Sequence, residues 1–229
     1  MSKFGGIGRK YAEIDLDGRK TLENPGEIEG FQSPENWESN FNVVAEFDAE
    51  SREEIESRIL SKLKEIEAEL RLPLLIAGRD FALHTTVQLA SQSEDPERQK
   101  RLFEELMSDN KISASMDSMV GVPVEYKYIL IDKGNVLLGS VDMPEAILKA
   151  REEIGKNYEL KGVKPVSYEN ILHITLARIT DSSGEGKEAV PEEYRNRLIK
   201  LRHEISSQPI TVTIDRVVRG HTSDLLKIN

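Results

Sequence analysis

Ile171 to Ile179 reads ILHITLARI, an apolar run that sets a histidine, a threonine and an arginine among aliphatic residues. Phe81 to Leu89, FALHTTVQL, repeats its centre, so both stretches contain apolar-His-x-Thr-apolar. Side chains two apart on a β-strand share a face, and each stretch therefore presents an imidazole beside a hydroxyl. The candidate pairs are His84 with Thr86 and His173 with Thr175.

Working outward, each motif sits at the same place in a repeated order of elements. In the first half, Phe41 to Phe47 reads as a strand, and Ser51 to Glu54 has capping-box spacing. The helix that follows carries Ile55, Ile59, Leu63, Ile66 and Leu70 at helical spacing and stops before Pro73. After the first motif, Asp95-Pro96 predicts a helix start, with Leu102, Phe103, Leu106 and Met107 as its apolar side. In the second half, Val124 to Asp132 and Val136 to Val141 read as paired strands, and Pro144 opens a helix through Ile147, Leu148 and Ile154. Past the second motif, Ser182 to Gly186 is an exposed connection, Pro191 opens a helix striped by Tyr194, Leu198, Leu201 and Ile205, and Ile210 to Val218 alternates as a closing strand.

This order predicts an α+β fold made by duplication: two α/β lobes, about 41–122 and 123–219, related by a pseudo-twofold. Antiparallel sheets would face a central cleft with helices outside, bringing the two histidines to one site. Residues 1–40 read as an arm, with a hairpin turning at Asp17-Gly18, and residues 220–229 as a tail. Gly5, Gly6 and Gly8 lack the spacing and the Ser/Thr of a phosphate-binding loop.

Composition narrows the chemistry. The 229 residues contain no cysteine, which excludes disulfides, thiolate metal sites and cysteine nucleophiles together. No run approaches the length of a membrane span and no secretory signal is recognisable, so a cytoplasmic, monomeric protein is expected. A net charge of −10 disfavours wrapping a long nucleic acid but leaves room for a local cationic pocket that holds one phosphate.

Of the four histidines, His203 lies in a charged helix and His221 lies past the last strand, and neither has the apolar motif setting. Two imidazoles can divide general-base and general-acid duty, since an unperturbed ring titrates near pH 6.5. Opening a cyclic phosphodiester needs that division: water loses a proton as the leaving sugar oxygen gains one. The threonine hydroxyls would donate to non-bridging oxygens. A metal site is the competing reading, but Asp80 and Glu169 each precede their histidine by four residues and complete no ligand set. Tyr126, Lys127 and Tyr128 offer base stacking and a phosphate contact, against the plainer reading of an alternating core strand.

His84-Thr85-Thr86-Val87 and His173-Ile174-Thr175-Leu176 resemble the two signature tetrapeptides of the two-histidine (2H) phosphoesterase superfamily, which includes LigT-like RNA 2′,3′-cyclic phosphodiesterases. The resemblance implies the duplicated fold, chemistry without metal or other cofactor on 2′,3′-cyclic or 2′-5′ phosphodiesters, and a nucleotide or RNA terminus as partner. It also implies that Arg178, in the Thr-Leu-Ala-Arg ending, contacts ligand. Strict alternation puts Arg178 on the opposite face from His173 and Thr175, so it reaches the cleft only if the strand bends or ends there. The first motif has no matching arginine, and alternation makes Gln88 the same-face neighbour of His84. A non-catalytic RNA-end or nucleotide-binding module on the same fold is the alternative function.

Overall fold

The computed structural model describes residues 10–18, 40–90, 96–132, 134–166, 171–179, 192–225 and 227. In chain order these form helix α1 over residues 10–18, β1 (Phe41–Phe47), α2 (Ala49–Ile55), a π-helical turn (Glu56–Leu60), α3 (Ser61–Leu70), β2 (Leu74–Ile76), β3 (Thr85–Ala90), α4 (Pro96–Met107) and α5 (Asn110–Asp117). The second half adds β4 (Pro123–Asp132), β5 (Asn135–Ser140), α6 (Glu145–Leu160), β6 (Pro165–Val166), β7 (His173–Ile179), α7 (Glu192–Ser207), β8 (Ile210–His221) and α8 (Thr222–Leu225). The glycines at 5, 6 and 8 and the 182–186 connection lie outside the described residues.

The strands make one antiparallel sheet in the order β2-β7-β5-β4-β8-β1-β3-β6, and a further bridge joins β7 to β3. That bridge closes a ring of six strands and brings the two motif strands side by side. The halves exchange edges reciprocally. Short β2, which precedes the first motif strand, pairs with the C-terminal part of β7, and short β6, which precedes the second, pairs with the C-terminal part of β3. β8 crosses to pair with β1 along its whole length.

The helix after β1 starts earlier than the Ser51 spacing predicts. Asp48 is the cap, its carboxylate accepting the Ser51 N–H at 2.8 Å, while Ser51 Oγ accepts the Thr213 N–H at 2.9 Å and ties the helix to β8. Arg71, in the left-handed region at φ 52, ends this helical stretch ahead of Pro73. The main core unites both halves: Phe41, Phe47, Ile55, Ile59 and Leu63 pack with Tyr126, Ile154, Tyr158, Leu198 and Val212.

Residues 10–18 are a helix and not a hairpin. Tyr11, Ile14, Asp15 and Gly18 form one stripe at helical spacing, and the first two join Leu130, Leu137 and Ile171 in a second, smaller apolar cluster. The stripe also covers the side of β4 that runs on past Tyr126, where its pairing with β8 ends. Asp15 accepts the Ile131 N–H at 3.4 Å and pairs with Arg202 of α7, whose Nε donates to the Ile129 carbonyl at 3.0 Å. Gly18 rests directly on that side, since a Cβ there would lie 1.9 Å from the Ile131 oxygen. Gly18→Ala is therefore expected to push α1 off β4 and cost about 1–3 kcal/mol, read as a lower urea midpoint.

Candidate active site

The bridge between β3 and β7 pairs Thr85 with Ile174, and both are fully buried. Thr86, His173 and Thr175 alternate to the opposite face, where each is half-buried, and His84, itself buried, immediately precedes β3. The antiparallel sense of the bridge sets His84 towards Thr175 and Thr86 towards His173 across the two strands. Thr85 Oγ1 donates to the His173 carbonyl at 2.8 Å, locking the contact. One bridge thus gathers all four motif residues.

Each motif strand then bulges one residue past its threonine. On β3, Thr86 pairs with Val44 but Gln88 pairs with Val43, so Val87 is the extra residue. On β7, Thr175 pairs with Leu137 but Ala177 pairs with Val136, so Leu176 is extra. Cross-strand partners share a face, and the bulge reverses the alternation. Arg178, opposite Asn135, therefore lies on the face of Thr175, opposite Leu137, and of His173, opposite Gly139. This corrects strict alternation and favours the placement that the resemblance implied. The same device on β3 removes Gln88 from the face of Thr86 and puts Leu89 there: the Gln88 amide is buried and donates to the carbonyls of Val166 and Leu89.

A cavity of about 270 Å³ opens beside the second motif, lined by His173, Thr175 and Arg178, by Asp132, Asn135, Leu130, Leu137 and Ile171, and by Tyr11 and Ile14 of α1. His84 and Thr86 are not part of its lining. The wall from α1 is firmly held. Tyr11 Oη donates to the Leu172 carbonyl at 3.0 Å, its ring lies 5.2 Å from that of Tyr128, and burial pushes its phenol up to about 12. Gly139, the cross-strand partner of His173, makes room for that ring, since a Cβ there would meet Tyr11 Cζ at 2.8 Å.

The histidines are set differently from free imidazoles. His84 Nδ1 lies 2.8 Å from the Ala82 carbonyl. A carbonyl only accepts, so Nδ1 carries the proton and Nε2 is the nitrogen that exchanges protons with a ligand. Burial lowers the pKa of His84, with Arg178 acting in the same direction and Glu46 opposing it. Burial also brings His173 down to about 4, helped by His84, Arg151 and Arg178. Both rings are therefore neutral at pH 7 in the free protein. An anion entering the site would favour the charged forms.

This depression has a sign for stability. Folding favours neutral His173, so its contribution is complete above pH 6.5 and declines as the unfolded chain takes up a proton. It is lost as pH falls to about 4. The loss is on the order of 3 kcal/mol. The urea midpoint of wild type is expected to fall more steeply between pH 7 and pH 4.5 than that of His173→Gln.

Other sequence candidates lie elsewhere. Tyr126 is fully buried in the main core, its ring 6.5 Å from that of Phe47, and its residue type served the core reading. Lys127 is half-buried and absent from the cavity lining, while Tyr128 packs under Tyr11. Asp80 binds its own loop, accepting the Ile76 N–H at 2.6 Å, and Glu169 lies outside the described residues. No cluster of three His, Asp or Glu side chains among the described residues is arranged to hold a metal ion. His203 is exposed, and His221 stacks on Phe103 at 3.8 Å. Tyr11 and Ile14 escaped the sequence reading, although their spacing with Gly18 carried a helical signal.

No described helix is long and apolar enough to cross a membrane. Comparison with known proteins finds no match among curated proteins. Among solved structures, the MHV ns2 PDE domain is 12% identical with a TM-score of 0.46, over 80% of this chain and 99% of that one. Kluyveromyces marxianus Usb1 is 15% identical with a TM-score of 0.40, over 80% and 98%. E. coli LigT complexed with 3′-AMP is 16% identical with a TM-score of 0.36, over 67% and 76%. Residues 138–219, which carry the second motif, match the family described as LigT like Phosphoesterase. That match takes in His173, Thr175 and Arg178 and leaves the first motif outside it.

Proposed function

We propose that this protein is a phosphodiesterase that opens the 2′,3′-cyclic phosphate of a nucleotide or RNA end, or cleaves the related 2′-5′ diester, by general acid and base catalysis from His84 and His173. The observation that carries the reading is the Thr85–Ile174 bridge, which supports a phosphate lying between two imidazoles and two hydroxyls. One neutral ring takes a proton from the attacking water. The other, charged once the anion is bound, protonates the leaving sugar oxygen as the P–O bond breaks. Thr86 and Thr175 donate to the non-bridging oxygens, and Arg178 adds positive charge on the same face. The apolar wall of Tyr11, Ile14, Leu130 and Leu137 would take the nucleoside, with the polar groups fixing its orientation.

The chemistry draws acid, base and phosphate donors from the chain itself, so turnover should persist in excess chelator. The direct assay compares 2′,3′-cyclic mononucleotides, a cyclic-ended oligonucleotide and 2′-5′ oligoadenylate side by side in EDTA. Opened product from at least one of them supports the reading. Tight binding of the cyclic-ended oligonucleotide without product from any of the three would favour the non-catalytic module.

A further inference from the structure

We propose that Arg151 of α6 is a positioning residue that ties the two motif strands together and so sets how the two histidines face one phosphate. The inference rests on the two-histidine reading of the site. Arg151 lies in the buried stripe of α6 between Ile147 and Ile154, and only 6% of its surface is exposed. A guanidinium there loses its hydration, and its pKa is accordingly depressed to about 10, so it remains charged at pH 7. Among the described residues no carboxylate pairs with it, although an apolar side chain would fill such a position more cheaply.

Its partners are two main-chain carbonyls, one on each motif. Nε donates to Val87 O at 2.7 Å, and Nη2 donates to Ile171 O at 3.2 Å. Val87 is the bulged residue of β3, whose carbonyl the bulge takes out of the regular ladder. The matching carbonyl on β7, Leu176 O, is satisfied by the Ala77 N–H at 2.9 Å, so a main-chain donor serves one bulge and a buried cation the other. On the second motif, Arg151 completes a clamp on three successive carbonyls. Ile171 O is held by Arg151, Leu172 O by Tyr11 and by the Ser140 N–H at 3.0 Å, and His173 O by Thr85. His173 therefore projects from main chain held on α6, α1 and β3. Arg151 Nη1 is buried with no hydrogen-bond partner among the described residues, so the tether is kept at an energetic cost.

The cation also bears on protonation. The groups around His173 are His84 before β3, Arg178 on β7, Arg151 on α6, Tyr11 on α1 and Asp132 at the cavity rim. Glu46 on β1 acts on His84. Arg151 supplies fixed positive charge behind the ring, where no ligand competes for it.

The test uses Arg151→Met and Arg151→Lys in the full chain. Three readouts apply: kinetics on a 2′,3′-cyclic mononucleotide, the pH titration of the His173 ring proton by NMR without ligand, and amide hydrogen exchange. Arg151→Met is expected to lower kcat about 10- to 100-fold with KM within about twofold. It should also raise the His173 midpoint and speed exchange in residues 85–88 and 172–175 above the change elsewhere. Arg151→Lys keeps the charge but cannot span both carbonyls, so kcat and local exchange change while the midpoint stays low. Wild-type kcat in Arg151→Lys, or exchange that rises evenly over the whole sheet, would overturn the tether. Should Arg151→Met fail to fold, the Lys variant alone decides. Should wild type prove inactive, the phosphodiesterase reading fails by itself, and the exchange and titration data still judge Arg151.

Discussion

His84→Ala and His173→Ala are each expected to lower kcat on a cyclic phosphodiester by about 10²- to 10⁴-fold, the range for removing a positioned general acid or base. The two losses should be of similar size, because the rings flank one bridge and in the proposed reaction each would handle one of the two proton transfers. Neither substitution should unfold the protein. His173 is half-buried at the cavity, and His84 bonds to the nearby Ala82 carbonyl within its own loop. A folded variant can be verified by circular dichroism before kinetics. The substrate KM should shift little, since in the proposed reaction the imidazoles would act on protons in flight while the hydroxyls and Arg178 would hold the phosphate.

Thr175→Val and Thr86→Val should follow, at about 10²- to 10³-fold each in kcat, the effect of deleting one donor to a developing anionic oxygen. Valine matches threonine in shape and keeps the strand propensity, so the loss isolates the hydroxyl. Thr175→Ser should restore most of the activity, and steady-state kinetics on the three threonine-site variants checks this. Thr85→Val is the informative contrast. Its hydroxyl faces the buried side and donates to the His173 carbonyl, so its removal loosens the bridge without touching substrate and should cost less than either motif threonine.

Much of this arrangement was legible in the sequence, for reasons that can be named. The strand Phe41–Phe47, the helices opening near Pro96 and Pro144 and the two motif strands follow from local periodicity and turn residues, and the structure places them there. The bulges at Val87 and Leu176 were not legible, because each arises from pairing with a strand distant in sequence, β1 in one case and β5 in the other. That single missing residue count exchanged the faces of Gln88 and Arg178. The helix at residues 10–18 was read as a hairpin because Asp17-Gly18 is a strong local turn signal, yet Gly18 is there to clear the Ile131 carbonyl. β2 and β6 are too short to leave a pattern, and they make sense only through the reciprocal pairing with β7 and β3. Arg151 left a trace that went unused: an arginine inside an otherwise apolar helical stripe calls for a buried partner.

The central claim is that His84 and His173 act as one unit on one phosphorus. A double-mutant cycle on kcat, with wild type, His84→Ala, His173→Ala and the double variant assayed on the same cyclic phosphodiester in excess chelator, tests it most directly. The account expects the double variant to be about as slow as the slower single variant, because once one proton transfer is lost the other has no concerted step to assist. Losses that multiply across the cycle, or full activity in either single variant, would contradict it.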